Sequence, residues 1–253
     1  NQNYKNNYIE VEDFGDNTLF KVLKHNKINK ELFFRKILKT LSRLQLIKDK
    51  QVVNLNRQKY KVQKYDNKIL LNEAKLFSEW YATRKINKFK IRKFKKVYEN
   101  EVKILLSKLN LKNDTFVHRD FHVSNLMHVK NNIAVIDSQD ALIGNKAYDL
   151  ASLVDDVRFE TSNKFKNKIL NSYFKKLKKT EINKFVNDFE ILSVLRNLKI
   201  IGIFTRLALR DNKKKYVKMI PYAWEMINYR MKKNREFVNL KLILKRNFPK
   251  FVK

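Results

Sequence analysis

The chain has 253 residues, 43% of them hydrophobic, so it can bury a sizeable core in one large domain or two small ones. It contains no cysteine, which excludes disulfides and thiolate metal sites. Its 57 Lys and Arg against 25 Asp and Glu give a formal net charge of +32, and no apolar run approaches the roughly twenty residues of a membrane helix.

The first segment with a clear pattern runs from Tyr8 to Asp13, where apolar and acidic residues alternate as in a half-buried strand. An ordinary edge strand would show the same alternation. Gly15 ends the predicted strand, and a short helix is expected from Thr18 to about Lys24.

Three longer helices are predicted between this short one and the middle of the chain. The first runs from Lys30 to Ile47, with apolar residues at helical spacing that indicate a core-facing side. Residues 48–64 are polar and without a period, and they are predicted to form a loop. Helices are then expected over Ile69–Tyr81 and Val97–Leu111. Between them, Arg84–Lys96 is densely basic; it could be a phosphate or polyanion patch, but a solvated helix face with an apolar underside is the favoured interpretation.

The most informative stretch begins after a short β-branched and aromatic run that predicts a strand. It reads His-Arg-Asp at 118–120, with Asn125 five residues after Asp120 and Asp137 twelve residues after Asn125. This is the H-R-D-x-x-x-x-N pattern of kinase-fold phosphotransferases, followed by a second metal-binding aspartate. Phosphoryl transfer needs a carboxylate that accepts the proton of an attacking hydroxyl, and oxygen ligands that hold Mg²⁺ against the nucleotide phosphates. Asp120 suits the first task, and Asn125 with Asp137 suits the second.

A hairpin explains how these three side chains can meet. Residues 125–127 and 133–136 read as two strands joined by a turn at Asn131 and Asn132. A hairpin of that length returns Asp137 to the neighbourhood of Asp120 and Asn125. A merely polar loop would rarely supply the strand, the tripeptide, the asparagine and the hairpin in this order.

The same stretch resembles a known superfamily of small-molecule kinases. Protein kinases follow their metal-binding aspartate with Phe-Gly, a long activation segment and Ala-Pro-Glu, whereas here Ser138-Gln139-Asp140 follows and a helix is predicted about ten residues later. The segments HRDFHVSNLM and IDSQDALIGNKAYDLASLVDD instead resemble the aminoglycoside phosphotransferase and choline kinase superfamily. They are most similar to the bacterial kinases that phosphorylate the anomeric hydroxyl of N-acetylmuramate and N-acetylglucosamine, as are YIEVEDFGD at 8–16 and YDNKILLNEAKLFSEWY at 65–81.

The resemblance implies a protein-kinase-like fold of the α+β class that is predominantly helical. It implies that residues 1–16 form the hinge strand region and that residues 17–253 form the large, helical C-terminal lobe, with the catalytic loop and metal-binding hairpin at 118–158. The small N-terminal lobe of such kinases would precede the hinge, and we expect it to be absent from this chain. The three glycines, at 15, 144 and 202, are too scattered for a G-x-G-x-x-G phosphate loop.

The resemblance also implies ATP and Mg²⁺ as cofactors and gives roles to particular residues. The expected roles are catalysis by Asp120, magnesium binding by Asn125 and Asp137, adenine contact by the hinge backbone at Val11, Glu12 and Asp13, and support of the catalytic loop by His118 and Asp149. Asp149 lies at the start of a predicted helix, where a carboxylate can accept backbone N–H bonds. Asp140 could assist the metal or the substrate, or it could only cap a local turn.

The rest of the chain, from Ser162 to Asn247, is almost wholly helical by pattern. Its longest predicted helix, Ile182–Arg210, is largely apolar, and the bundle is expected to supply the acceptor pocket at its open end. The residues that could border this pocket are Glu73, Glu79, Trp80, Arg206, Arg210 and Trp224. His122 and His128 have no metal-ligand spacing to an acidic cluster and are interpreted as incidental.

The partner expected from the resemblance is a small-molecule acceptor, an amino sugar such as N-acetylmuramate or N-acetylglucosamine. A net charge of +32 could indicate nucleic acid or an anionic membrane, but the excess is mostly lysine, is spread through the whole chain and accompanies no RNA-binding motif. We therefore expect neither a nucleic-acid nor a membrane partner, and a cytoplasmic location. The alternatives are a kinase acting on choline, ethanolamine, homoserine or aminoglycoside acceptors, and a non-catalytic basic lobe that binds a polyanion or a protein.

Overall fold

The computed structural model describes residues 2–3, 8–9, 11–25, 28–48, 51–53, 57–130, 132–232 and 234–252. Across these ranges the protein is predominantly helical with small antiparallel sheets, which confirms the predicted α+β class. The α-helices are α1 (Leu19–His25), α2 (Lys30–Gln45), α3 (Asn67–Leu76), α4 (Ala82–Lys85), α5 (Lys88–Ser107), α6 (Ala147–Val154), α7 (Asn163–Phe174), α8 (Lys179–Arg210), α9 (Ile220–Met231) and α10 (Val238–Asn247). The strands are β1 (Gln2–Asn3), β2 (Tyr8–Ile9), β3 (Gln51–Val53), β4 (Lys59–Lys61), β5 (Asn113–Val117), β6 (Leu126–Val129), β7 (Asn132–Val135) and β8 (Leu142–Asn145).

Within the described ranges the strands pair in antiparallel twos, β1 with β2, β3 with β4, β5 with β8 and β6 with β7. The β6–β7 hairpin pairs Leu126 with Val135 and Val129 with Asn132. This confirms the hairpin predicted from the sequence, although Asn131 of the predicted turn lies outside the described residues. Strand β5 leads into residues 118–120 and pairs with β8, so the β6–β7 hairpin lies in the connection between these two strands.

The segment before α1 differs from the predicted strand. Strand β2 ends at Ile9, Glu10 lies outside the described residues, and Val11, Glu12 and Asp13 have no regular structure. All three are exposed, Val11 to 78%, so the prediction of a half-buried strand is wrong at 11–13. The acidic residues between the apolar ones keep this piece in solvent instead of giving it a buried face.

A turn then joins this segment to the hairpin. The Asp13 carboxylate accepts a hydrogen bond from the Gly15 N–H at 2.7 Å, and Gly15 has a φ of 68° that favours glycine. The Asn17 carbonyl accepts from the N–H of His128 at 2.9 Å, and Thr18 bridges to Met127. The chain therefore enters α1, which matches the predicted short helix, alongside β6.

The region 48–64, predicted to be a loop, contains the β3–β4 hairpin. Val53 pairs with Lys59 and Gln51 with Lys61, and all three residues of β4 are exposed. The polar-apolar alternation of β4 covers only three residues, all of them exposed, which is too short a signal to distinguish a strand from a polar loop.

Local capping sets the starts of several helices. The side chains of Asn29, Asp66 and Ser162 accept hydrogen bonds from N–H groups three residues later, at 3.1, 2.9 and 3.2 Å, and begin α2, α3 and α7. The apolar face of α2 is buried at Ile37, Leu38 and Leu41, half-buried at Phe33 and Leu44, and 49% exposed at Leu32.

The basic stretch 84–96 spans the end of α4 and the first half of α5. Phe94 is buried, as an apolar underside requires, but Phe89 is 94% exposed. The interpretation of this stretch as a solvated helix face is therefore right for the lysines and for Phe94, and wrong for Phe89.

Helix α8 runs through the middle of the core. It packs against α3, α6 and α9, and residues from Phe185 to Phe204 are mostly buried. Beside it, an aromatic cluster fixes α9 and the C-terminal segment, with Trp224 lying 5.7 Å from Phe77 between ring centroids. None of the helices in the described ranges is long and apolar enough to cross a membrane.

A π-helical turn at Phe77–Tyr81 interrupts the predicted helix Ile69–Tyr81, and it lies against Gly202 of α8. A Cβ added at Gly202 would lie 2.6 Å from the backbone N of Phe77 and closer still to the carbonyl of Leu76. These are backbone atoms, which cannot rotate away. Gly202 therefore allows α8 to approach α3 closely at the point where the π-turn begins.

Gly202→Ala is expected to destabilise the fold by about 2–3 kcal/mol, because overpacking against backbone outweighs the better helix propensity of alanine. The midpoint of thermal unfolding, followed by circular dichroism, should fall by about 4–12 °C. Gly15→Ala is the matched comparison, since nothing lies within 4 Å of its added Cβ and only its φ opposes alanine. The free energy of unfolding of Gly15→Ala should be lower than that of the wild type by about 1 kcal/mol. An unchanged midpoint for Gly202→Ala would mean that the two helices do not meet this closely.

Candidate active site

Three side chains predicted to meet do lie together at the mouth of the β6–β7 hairpin. Asp120 follows β5, Asn125 ends a short 3-10 turn before β6, and Asp137 follows β7. The Asn125 amide donates hydrogen bonds to the backbone carbonyl of Asp120 at 3.1 Å and to Asp137 Oδ2 at 3.3 Å. One amide therefore joins the backbone of Asp120 to the carboxylate of Asp137, and all three residues line the same cavity.

The donor atoms at this point suit Mg²⁺. Because Asn125 uses its Nδ2 for both hydrogen bonds, its Oδ1 is left as an oxygen ligand beside the Asp137 carboxylate. Mg²⁺ is commonly held by one or two such protein oxygens, with water and nucleotide phosphates completing the octahedron. Among the described residues no group of three or more His, Cys, Asp or Glu side chains could hold a metal.

Two residues of the site have left-handed backbones. Arg119 has a φ of 74° and Asp137 a φ of 68°, and neither is glycine. Such conformations cost about 1–3 kcal/mol each and persist only where the surroundings impose them. At Arg119 this conformation is imposed by contacts to both the backbone and the side chain.

Asp149 holds the backbone of the loop at 118–120. It lies in α6, is fully buried, and accepts hydrogen bonds from the N–H groups of His118 at 2.7 Å and Arg119 at 2.9 Å. Burial raises the pKa of Asp149 to about 7, even though both N–H bonds favour its charged form. The His118 ring contacts the Ile136 carbonyl through Nε2 at 3.0 Å, so it connects the loop to β7. These positions fit the supporting role expected for both residues.

A half-buried ion cluster holds the side chain of Arg119. Its guanidinium pairs with Glu73 of α3 and lies 5.2 Å over the ring of Tyr65, whose hydroxyl also donates to Glu73. Lys199 of α8 binds the other oxygen of Glu73 at 2.9 Å. Burial alone would raise the pKa of Glu73, but the charge of Lys199 and the hydrogen bond from Tyr65 outweigh it and hold that pKa below its usual value. Glu73 is thus an ionised bridge between the loop at 118–120 and α8.

Asp120 is also surrounded by cations. Burial by itself would raise the pKa of the Asp120 carboxyl, but the positive charges of Arg196, Lys199 and Arg158 lower it below its ordinary value. Asp120 is therefore ionised at neutral pH, and it can accept a hydrogen bond from a hydroxyl group.

A cavity of about 990 Å³ is lined by Glu73, Arg119, Asp120, Asn125 and Asp137. One stripe of α8 forms a wall of it, with its members three or four residues apart on the same helical face: Arg196, Lys199, Ile200, Ile203 and Arg206. The sequence prediction included Arg206 but missed Arg196 and Lys199. The signal was present, since 196, 199 and 206 are cations on one face of an otherwise apolar helix.

Only some of the other residues predicted at the pocket line this cavity. Glu73 and Asp140 line the cavity, and the Asp140 carbonyl accepts from Arg119 at 3.0 Å. Arg210 is instead ion-paired with Asp211 at 2.7 Å on the surface, and Trp224 is buried in the aromatic cluster, so neither borders the cavity. Glu79 and Trp80 also lie outside its lining.

His122 was interpreted as incidental, and the structure places it in the lining of the cavity. It is buried, and burial lowers its pKa to about 4. It is therefore a neutral ring beside Asp120. The hinge residues Val11, Glu12 and Asp13 are exposed and lie outside this lining, so the structure does not bring them to the cluster around Asp120.

Comparison with known proteins places this geometry in context. The model of the phosphotransferase enzyme family matches residues 24–181. An N-acetylmuramate/N-acetylglucosamine kinase of Neisseria meningitidis is 34% identical over 70% of this chain and 54% of its own length. A protein of the same name from Pseudomonas aeruginosa is 27% identical over 94% of this chain and 69% of its own length.

The solved ethanolamine kinase of Plasmodium vivax superposes with a TM-score of 0.52 at 15% identity, covering 78% of this chain and 58% of that one, which shows a similar fold. The chain spans about half to two thirds of the length of these curated relatives.

Proposed function

Because this chain belongs to the phosphotransferase enzyme family, we propose that it transfers a phosphoryl group from ATP to a hydroxyl of an amino sugar of the N-acetylmuramate or N-acetylglucosamine type. The observation that carries the proposal is the meeting of Asp120, Asn125 and Asp137 at one cavity. The amino sugar comes from the names of the curated relatives.

In this proposal Asp120 orients the acceptor hydroxyl and accepts its proton as the oxygen attacks phosphorus. An ionised carboxylate is required for that task, and the surrounding cations favour it. Asn125 and Asp137 would hold Mg²⁺, which supplies charge neutralisation on the nucleotide phosphates. Arg119 and Asp149 keep the loop in its left-handed conformation, so the Asp120 carboxylate starts from a fixed position.

The nucleotide base is proposed to rest on residues 1–16, with the backbone of Val11, Glu12 and Asp13 at the adenine edge, while residues 17–253 form the lobe that carries the chemistry. The exposure of these three residues leaves their backbone accessible to a base. Asp140 is proposed to fix Arg119 through its carbonyl, and its exposed carboxylate remains a candidate for assisting the metal or substrate.

Cationic acceptors such as choline or aminoglycosides fit this cavity poorly. Its lining has six cationic side chains against four acids: Arg119, Arg158, Arg196, Lys199, Arg206 and Lys215 against Glu73, Asp120, Asp137 and Asp140. A cation would be repelled by such a wall, whereas a neutral or acidic sugar would not.

The test is acceptor-dependent release of ADP by the full-length protein, measured in a coupled assay with Mg²⁺. N-acetylmuramate and N-acetylglucosamine should support turnover, and phosphorus NMR should show an anomeric phosphate. Choline, ethanolamine and aminoglycosides should not raise the rate above the ATP-only background. Turnover with a cationic acceptor alone would reject the amino-sugar proposal, and salt-sensitive RNA binding without any turnover would favour a non-catalytic polyanion-binding protein.

A further inference from the structure

Arg196 is a buried cation whose charge acts on Asp120, although no direct hydrogen bond or ion pair joins the two side chains. Its side chain is only 3% exposed, and its Nη1 is buried without a hydrogen-bond partner. It also takes part in none of the ion pairs found in the described ranges. A buried guanidinium left unsatisfied is costly, and Arg196 lines the large cavity, so a ligand in that cavity can supply the missing acceptor.

Three other cations of the cavity wall already have carboxylate partners. Arg119 and Lys199 share the carboxylate of Glu73, and Arg158 binds Asp156 at 3.2 Å. The Nε of Arg206 also lacks a partner in the described part of the chain, but it lies ten residues further along α8, about 15 Å along the helix axis. Arg196 is therefore the unpaired guanidinium beside the reacting centre.

The position of Arg196 indicates the acceptor rather than the nucleotide. Its charge is the strongest cationic influence on Asp120, the residue that faces the acceptor hydroxyl. It comes from α8, whereas Asn125 and Asp137, which mark the nucleotide phosphates, come from the β6–β7 hairpin. An anion bound by Arg196 is thus expected on the molecule that carries the attacking oxygen.

The planar fork of an arginine matches a carboxylate with two parallel hydrogen bonds. The two sugars of the proposed function differ in this respect, since N-acetylmuramate carries a lactyl carboxylate two ring positions from its anomeric carbon and N-acetylglucosamine carries none. We propose that Arg196 binds the carboxylate of an acidic amino-sugar acceptor and so makes N-acetylmuramate the preferred substrate. This inference rests on the proposed function and names the substrate class for the same site.

The experiment compares kcat/KM for the two sugars in the wild-type protein, Arg196→Gln, Arg196→Lys and Arg210→Gln. Arg196→Gln should lower the ratio of kcat/KM for N-acetylmuramate over N-acetylglucosamine by about 10- to 100-fold, the usual effect of a charge-assisted bidentate contact. Arg196→Lys should recover part of the ratio, since it keeps the charge and loses the fork. Arg210 lies on the same helix but outside the cavity, so Arg210→Gln should leave the ratio unchanged.

The ratio is the decisive quantity because Arg196 also influences Asp120, and any change in Asp120 affects both sugars alike. A second test needs no variant. With the wild-type protein, the methyl ester of N-acetylmuramate should have a kcat/KM lower than that of N-acetylmuramate by the same factor. This result would not depend on whether a variant folds well. Equal losses for both sugars, or a higher KM for ATP with an unchanged ratio, would overturn the assignment of Arg196 while leaving the proposed function intact. Turnover of neither sugar by the wild-type protein would overturn both.

Discussion

Replacing Asp137 with alanine should lower kcat/KM by about 10³-fold or more in the full-length protein, the largest effect expected for any single change at the site. Metal ions supply several kcal/mol of charge stabilisation in phosphoryl transfer, and each 1.36 kcal/mol is a factor of ten in rate. Asp137 offers the only carboxylate bonded to Asn125 in the described ranges, so its loss leaves a neutral amide as the remaining predicted ligand. Acceptor-dependent ADP release measures the effect.

The backbone at Asp137 dictates the control. Its φ of 68° is unfavourable for alanine, so Asp137→Ala combines ligand loss with strain. Asp137→Asn separates the two, because asparagine tolerates this conformation; it should fold like the wild type, yet need a much higher Mg²⁺ concentration for half-maximal rate. Asp114, an exposed acid on β5, serves as the remote comparison, and Asp114→Ala should leave the rate unchanged. If Asp137→Ala still released ADP in a sugar-dependent way at the wild-type rate, the metal assignment would be wrong.

The parts of this site that were predictable from sequence are those that local chain geometry brings together. Asp120, Asn125 and Asp137 lie within one strand–loop–hairpin unit, and the register of the β6–β7 pair follows from its short turn. The family resemblance drawn from the same stretch is confirmed by the match to the phosphotransferase enzyme family. Local sequence pattern was sufficient to predict this part of the site, because each of its elements is positioned by the element next to it in sequence.

The parts that were not predictable depend on contacts between distant segments. Nothing near Arg119 in sequence indicates that its side chain binds Glu73 of α3, or that Lys199 of α8 reaches the same carboxylate. Helical periodicity could place 196, 199 and 206 on one face, but not decide whether that face meets solvent or a cavity. The π-turn at Phe77–Tyr81 likewise arises where α3 meets Gly202, which no local propensity encodes.

A second buried ion cluster lies at the end of α6, outside the lining of the cavity. Asp155 is fully buried and accepts two hydrogen bonds from Arg230 of α9, at 2.7 and 3.0 Å. It also binds Lys166 of α7 at 3.2 Å and the hydroxyl of Ser193 of α8 at 2.6 Å. One carboxylate therefore joins four helices and neutralises part of the charge of two buried cations.

Asp155→Asn is expected to destabilise the fold by about 3–5 kcal/mol, because it leaves Lys166 and Arg230 buried without a counter-charge. For a chain of this size the thermal midpoint should fall by about 6–20 °C. Urea unfolding of wild type and variant at pH 7 measures the difference. Asp211→Asn provides the comparison, because its ion pair with Arg210 is exposed and its removal should not change the midpoint measurably.

The pH dependence of that difference tests the cause. Burial alone would raise the pKa of Asp155, but the charges of Lys166 and Arg230 and the bond from Ser193 lower it well below its ordinary value. A carboxyl whose folded pKa is depressed contributes stability above its unfolded pKa, about 3.9, and that contribution is lost as the pH falls toward the folded value. The difference in the free energy of unfolding between wild type and Asp155→Asn should thus be constant from pH 8 to about pH 5 and shrink below about pH 4. If this difference is the same at pH 3, the asparagine destabilises the fold through its geometry. Neutralising the charges of Lys166 and Arg230 would then not be what holds these four helices together.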